Sequence, residues 1–445
     1  MRAVVIFIIL SSLLVIGKFL RVRVQFLQRL YLPSSVIGGL VGLAALSIFN
    51  HSATDIEIPS WTLDSMRAVP GFLINVIFAT LFLGSAVPGI RKIVKLALPQ
   101  LCLGQLIAWG QYSIALLLTG LLLTPLFGVP AAFGNLLEIG FEGGHGTVGG
   151  MAESFTAFNW EEGMALGYTM ATAGMIIGVV FGMALIQWAH RKGYVKEVCS
   201  FKDRSIHERL GIHTHRNRPS AGQQTVISDS IDSLAWHVAV VGIAIMIGWA
   251  IHSIIPIKGF PLFPLCMIGG VLLQSAAKAL KFRLLIDRSQ MQRISGAALD
   301  FLVVSAVATI RLDVVAANWQ PLVILIVTGA LWTSCAIFCI APRIFNDAWF
   351  ERGIAEFGQA TGVTATGLML LRTVDPDNRT SATVSFGYKQ LLHEPIMGGG
   401  IWTALAFSLV YQIGWLNVWM ISTVMLAVWA ATAFYLARKR KMSIA

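Results

Sequence analysis

Eleven stretches of this chain stay apolar for roughly the 20 residues that a helix needs to cross a membrane. They run at about 3–20, 34–50, 68–90, 97–123, 163–189, 234–255, 262–280, 294–315, 321–341, 384–410 and 414–437. In lipid every backbone N–H and C=O must find its partner within the protein, so long apolar runs of this kind fold as helices. The expected class is therefore an all-α polytopic membrane protein. Composition agrees: 12% of the 445 residues are charged, about half the share of a soluble domain. The first run, MRAVVIFIILSSLLVIGKFL, has a basic start like a signal peptide. No small-residue cleavage site follows it, so it reads as the first helix.

Two segments break the pattern. Residues 131–155 and 353–373 are rich in Gly and Thr, carry acids and lack a continuous apolar run. Orientation tests how they cross. Cytoplasmic loops collect Lys and Arg. With the N-terminus outside, the C-terminus cytoplasmic and both Gly-rich segments returning to the side they entered, the count is lopsided. Only Arg2, Arg67, Lys258 and Arg311, of 33 Lys and Arg, fall outside. A full crossing by either segment would flip the later loops and spoil that bias. Both are therefore expected to be re-entrant. The net charge of +11 then reports orientation in a bacterial inner membrane, and lipid, not nucleic acid, is the partner it implies. The basic stretch 191–232, with His207, His213 and His215, reads as a cytoplasmic linker.

Internal repetition follows the same division. Pro33 and Gly38-Gly39 match Pro264 and Gly269-Gly270. Ala79-Thr80 matches Ala308-Thr309, and Phe141 and Gly146 match Phe357 and Gly362. Gly167-Tyr168, Ile176 and Gly178 match Gly387-Tyr388, Ile396 and Gly398. The matches keep one order on equivalent elements. Each unit has five spans, an odd number, so the second copy is inverted, the architecture of secondary transporters. The expected division is a first repeat at 1–190, the linker at 191–232, a second repeat at 233–411, and an added helix with a basic tail at 412–445.

The sharpest motif is Glu142-Gly-Gly-His-Gly-Thr-Val-Gly-Gly-Met-Ala-Glu153, with five glycines in the eight residues from Gly143. Such a run is no ordinary membrane helix. Irregular backbone at membrane depth is tolerated where it lines a cavity or is buried in protein. Half-helix ends there attract anions, and unwound carbonyls hold cations. Candidate substrate or ion ligands are Glu142, Gly143, Gly144, His145, Gly146 and Thr147. The counterpart Gly358–Gly367 adds Gln359, Thr361, Gly362, Thr364 and Thr366. Close helix packing is the competing reading of the glycines.

Ionisable residues within spans are functional candidates by default. Asp300 reads as a cation ligand or proton carrier, or as an acid paired with Arg293 or Arg288. Lys389, His393 and Glu394 share one span with Pro395, and Lys389 and Glu394 can pair within the bundle. Glu138 flanks the first tip. Asn75, Gln105 and Gln274 fit interhelical hydrogen bonds. The five cysteines lack a CxxC spacing, and four of them read as core residues. No HExxH or GxxxxGK[ST] pattern is present. An enzyme built on His145, Glu142 and Glu153, or a transporter-derived sensor, stays open as an alternative.

The P-x4-G-G motif at Pro33–Gly39, the GGHGT run at Gly143–Thr147 and the Gly/Thr tip at Gly358–Gly367 resemble the bacterial sodium/glutamate symporters. The likeness covers roughly residues 1–410. It implies inverted five-helix repeats with re-entrant loops, a homodimer, no organic cofactor, and Na⁺-coupled uptake of glutamate or a similar dicarboxylate by an elevator-like movement. The second tip and Asp300 depart from that family's pattern. Sodium- or proton-coupled carriers of 2-hydroxycarboxylates, which also use paired Gly-rich tips, are the second resemblance.

Overall fold

A computed structural model describes residues 1–51, 59–85, 90–195, 198, 205–214 and 218–444. All regular structure among them is helical. In chain order the main helices are α1 (Arg2–Arg23), α2 (Ser34–His51), α3 (Ser60–Thr80), α4 (Ile90–Leu118), α5 (Leu136–Phe141), α6 (Gly144–Gly150), α7 (Glu162–Arg191) and α8 (Ser233–His252). There follow α9 (Phe263–Ala279), α10 (Arg288–Ala308), α11 (Trp319–Cys339), α12 (Trp349–Val374), α13 (Ala382–His393), α14 (Ile401–Ile413) and α15 (Trp415–Ile444). Seven of these are long and apolar enough to cross a membrane: α1, α4 with its continuation to Phe127, α7, α8, α10, α11 and α15. Shorter apolar helices include α2, α9 and α14.

The apolar run at 384–410 is not one helix. α13 stops at His393, and the chain is non-helical until α14 begins at Ile401. Pro395 cannot donate to a helical ladder, and Gly398 and Gly399 take positive φ of 67° and 104°.

The chain divides into two compact units. Unit 1 comprises Met1–Val87, Gly149–Ala157 and Ile206–Ile310. Its helices touch through glycine. A Cβ at Gly38 would lie 2.2 Å from the Leu13 carbonyl oxygen on α1, and one at Gly269 would lie 2.1 Å from the Ala244 oxygen on α8. So α2 lies against α1 as α9 lies against α8, the close approach that small residues permit. The next glycines continue the correspondence: Gly39 abuts Val307 of α10, and Gly270 abuts Ala79 of α3. Asp232 caps α8, its side chain accepting from Leu234 N at 2.9 Å and Ala235 N at 3.1 Å.

Unit 2 comprises Pro88–Val148, Phe158–Ser205 and Arg311–Ala445. α4 lies at its centre, packed by α11, α13 and α15. α7 packs on α5 and α12. An apolar core of Ile186, Ile354, Phe357, Leu370 and Phe386 joins α7, α12 and α13.

Candidate functional site

Unit 2 buries a polar cluster around two interrupted helices. α5 carries Glu138, and Glu142 caps its end, its N–H bonded to Glu138 O and its side chain four residues on and so on the same face. Both are buried, at 0% and 4% exposure. Helix ends at Glu142-Gly143, and α6 starts at Gly144 with a φ of 69°. A Cβ on Gly144 would meet Val363 Cγ1 at 2.5 Å, so the residue must stay small for the two interruptions to approach.

The second interruption lies inside α12. Gly362 has φ −151° and ψ 38°, and Val363 has φ 64° and ψ 170°. A β-branched residue at positive φ is a strained outlier, of the kind that gathers at functional sites. The chain folds back here. A Cβ on Gly358 would lie 2.7 Å from the Gly367 Cα, whereas nine residues of straight helix would span roughly 13.5 Å. The second half-helix begins at Thr364, with unsatisfied N–H groups at its start.

Side chains from five helices, α4, α5, α12, α13 and α14, meet around these breaks. Glu138 accepts from Tyr112 Oη at 2.5 Å, Gly398 N at 2.7 Å and Thr403 Oγ1 at 2.9 Å. Glu142 Oε1 accepts from Gln359 Nε2 at 3.1 Å and is bonded to His393 Nε2. Glu142 Oε2 has no partner. Lys389, fully buried, donates to Gln359 Oε1 at 2.7 Å and pairs with Glu356 Oε2 at 3.0 Å. Gln100 Nε2 donates to Glu356 Oε1 at 2.8 Å.

Donor and acceptor roles are fixed by the groups that can only donate. The Trp109 indole N–H donates to Gln105 Oε1 at 2.9 Å. Gln105 Nε2 must then donate to His393 Nδ1, 3.1 Å away. His393 is thereby the neutral tautomer with its proton on Nε2, which donates to Glu142. The Lys389 ammonium likewise fixes Gln359 with its NH₂ toward Glu142.

The charge sum follows. Glu138, Glu142 and Glu356 bring three carboxylates, and Lys389 is their one buried cation. Removing an ion from water costs several kcal/mol unless a partner answers it. Neutral donors satisfy Glu138, Lys389 satisfies Glu356, and Glu142 is left with an open oxygen. Among the described residues no group of three His, Cys, Asp or Glu could hold a metal ion. Carboxylate, hydroxyl and backbone oxygens, the ligands a hard cation takes, are what the tips offer.

Other sequence candidates occupy varied places. Thr364 Oγ1 donates to Glu394 Oε1 at 2.8 Å, and Gln390 Nε2 bonds to both. Thr361 Oγ1 donates within its own helix to Phe357 O, and Thr147 Oγ1 donates to Gly143 O just ahead of α6. Gly143, Gly146, Gly362 and Thr366 lie along the two interrupted segments. His145 Nε2 lies 3.0 Å from Thr172 Oγ1, which itself donates to Tyr168 O. Asp300 belongs to unit 1, exposed on α10 beside Ser35. Lys389 pairs with Glu356 and not with Glu394: one helix places residues four apart, not five, on a common face. Cys335 and Cys339 are exposed on α11 and are no core residues, unlike buried Cys102 and Cys266. Cys199, His215 and the side chains of Arg91, Lys92, Lys95 and Lys439–Lys441 lie outside the described residues.

Sequence reasoning missed Glu356 and Tyr112. Glu356 had a signal, being an acid within a Gly-rich segment at membrane depth. Tyr112 had none beyond its apolar helix.

The family model described as sodium/glutamate symporter matches residues 1–376. A sodium/glutamate symporter of Haemophilus influenzae is 23% identical over 403 residues, covering 87% of this chain and 91% of that one. One of Escherichia coli strain K12 is 21% identical over 374 residues, covering 81% and 86%. The kinship is to transporters, and the enzymatic reading of His145, Glu142 and Glu153 falls with it. With its long apolar helices, the chain is a multi-pass integral membrane protein that belongs to the sodium/glutamate symporter family.

Proposed function

We propose that this protein is a secondary transporter that couples Na⁺ to glutamate uptake by alternating access, with the buried cluster of unit 2 as its substrate and ion site. The observation that carries the reading is Glu142: a buried carboxylate with an open oxygen beside two helix interruptions. An ammonium group or a cation answers that oxygen, and a hydroxyl does so less well, which favours an amino acid over a 2-hydroxy acid. The half-helix from Thr364 presents its positive end to a substrate carboxylate. Na⁺ would be held by tip carbonyls and hydroxyls, in a role the kinship supports.

The finer architecture is part of the proposal. The fold-back at Gly362-Val363 supports a re-entrant second tip, and 131–155 is its inverted partner. The paired contacts of Gly38 and Gly269 support inverted repeats at 1–190 and 233–411. Each unit draws segments from both repeats, as an elevator-like carrier with one moving and one fixed body requires. A homodimer with the N-terminus outside and the C-terminus cytoplasmic, the linker at 191–232 and an added helix at 412–445 complete the reading.

Purified protein in liposomes should accumulate labelled glutamate when Na⁺ is higher outside, and unlabelled glutamate should compete better than 2-hydroxy dicarboxylates. Accumulation in K⁺ as good as in Na⁺ would remove the coupling. Stronger competition by hydroxy acids would change the substrate class.

A further inference from the structure

Unit 1 carries a pair of cations that the transport reading does not use. α1 runs 22 residues, roughly 33 Å of helix, against a hydrocarbon core of roughly 30 Å. Lys18 and Arg21, in its last two turns, therefore fall at the level of the lipid headgroups. They are three residues apart and so share a face. No carboxylate among the described residues acts on either one, and the charge of Arg21 opposes that of Lys18.

The linker closes over this pair. Lys18 Nζ donates to Leu210 O at 3.2 Å and to Gly211 O at 2.8 Å, the carbonyls at the end of the short helix Ile206–Leu210. Gly211 has a φ of 63°, and a Cβ there would lie 2.4 Å from Arg21 Nη1. The guanidinium thus lies against the bare backbone of a glycine. Arg21 Nε is shut from solvent with no acceptor. Carbonyls answer Lys18, whereas Arg21 keeps a planar fork of N–H donors, the shape that grips phosphate in pairs.

Apolar surface leads up to the two cations. Val4, Phe7 and Val15 are exposed on α1, and steps of three and four residues carry that stripe through Ser11 to Lys18. Hydrocarbon along the helix and uncompensated positive charge at its end match a lipid with a negative headgroup. Basic pockets at the membrane boundary hold such headgroups.

We propose that Lys18 and Arg21, roofed by Gly211, bind the phosphate of an anionic phospholipid in the leaflet where α1 ends, its acyl chains lying along Val15, Phe7 and Val4. The phosphate completes the contact between α1 and the linker. Lys18 holds the linker carbonyls, and the lipid offsets the repulsion between the two cations.

Native mass spectrometry of the purified full chain tests this, with phosphatidylglycerol or phosphatidylcholine of the same acyl chains added to the detergent. Phosphatidylglycerol should bind about tenfold more tightly. Arg21→Gln should weaken its binding by roughly ten- to a hundredfold, the range for a hydrogen bond to a charged group. Arg23→Gln removes a charge two residues on, from a side chain stacked over Phe19, and should cost no more than about five-fold. Gly211→Asp keeps both cations and sets a carboxylate against Arg21, on a left-handed backbone that Asp and Asn tolerate. It should abolish the preference for phosphatidylglycerol, and Gly211→Asn should keep it. Equal losses in Arg21→Gln and Arg23→Gln would reduce the site to diffuse charge and overturn the proposal, as would a Gly211→Asp protein that binds like wild type. Displacement of the lipid by excess inorganic phosphate would assign the pocket to free phosphate and overturn the lipid.

Discussion

The two units differ most in what they bury. Every buried Asp, Glu, Lys and Arg among the described residues lies in unit 2: Glu138, Glu142, Arg352, Glu356, Asp375 and Lys389. Unit 1 buries Ser, Thr, Gln and one His, and a groove of about 670 Å³ among α1, α3 and α10 is lined by Ile6, Leu10, Leu73, Phe301 and similar apolar groups. Both units use glycine to bring helices together. In unit 1 the glycines join continuous helices, whereas in unit 2 they also serve interrupted ones. Ion pairs are not needed to hold such a bundle, since replacing buried pairs by apolar groups is often neutral or stabilising. Charge kept in one unit alone therefore marks that unit as the place of chemistry.

That contrast can be broken by substitution. The largest effect should come from Lys389→Met, which leaves Glu356 buried without its cation. A loss of about 3–5 kcal/mol is expected, read from chemical unfolding in detergent, and Lys389→Met with Glu356→Gln should recover much of it. A single variant as stable as wild type would show that the pair is not a buried charge at all. Tyr112→Phe removes the hydroxyl that donates to Glu138 and should cost about 1.5–3 kcal/mol, the range for a hydrogen bond to a charged group. Gly358→Ala drives a methyl into the Gly367 backbone. A cost of about 1–3 kcal/mol from overpacking is expected, together with lost uptake, and unchanged uptake would mean that the fold-back tolerates separation. Asp300→Asn in unit 1 should be smallest, within about 0.5 kcal/mol in stability, with uptake retained. A loss of uptake like that of a unit 2 variant would extend the site into unit 1.

Much of this was legible in the sequence because membranes impose simple rules. Span length follows from the thickness of lipid, and seven of the eleven expected spans are helices long and apolar enough to cross; the Lys/Arg bias stands as an expectation about orientation. The two glycine-rich segments stood out because they violate those rules. The pairing of side chains was less legible. Lys389 and His393 share a face of α13 by spacing alone, yet their partners Glu356 and Gln105 come from segments whose register the chain does not encode locally. α13 ends at His393, and Glu394, five residues from Lys389, would lie off that residue's face even in a continuous helix. Pro395 was a visible signal there, while the length of the break through Gly400 was hidden inside an apolar run.

The central claim is that the buried carboxylates of unit 2 run Na⁺-coupled glutamate transport. Accumulation of labelled glutamate by liposomes holding wild type or Glu142→Gln, with and without an inward Na⁺ gradient, tests it most directly. The account predicts accumulation by wild type only with Na⁺, and none by a Glu142→Gln protein that unfolds at the wild-type midpoint or above. Equal accumulation by the two proteins would contradict it.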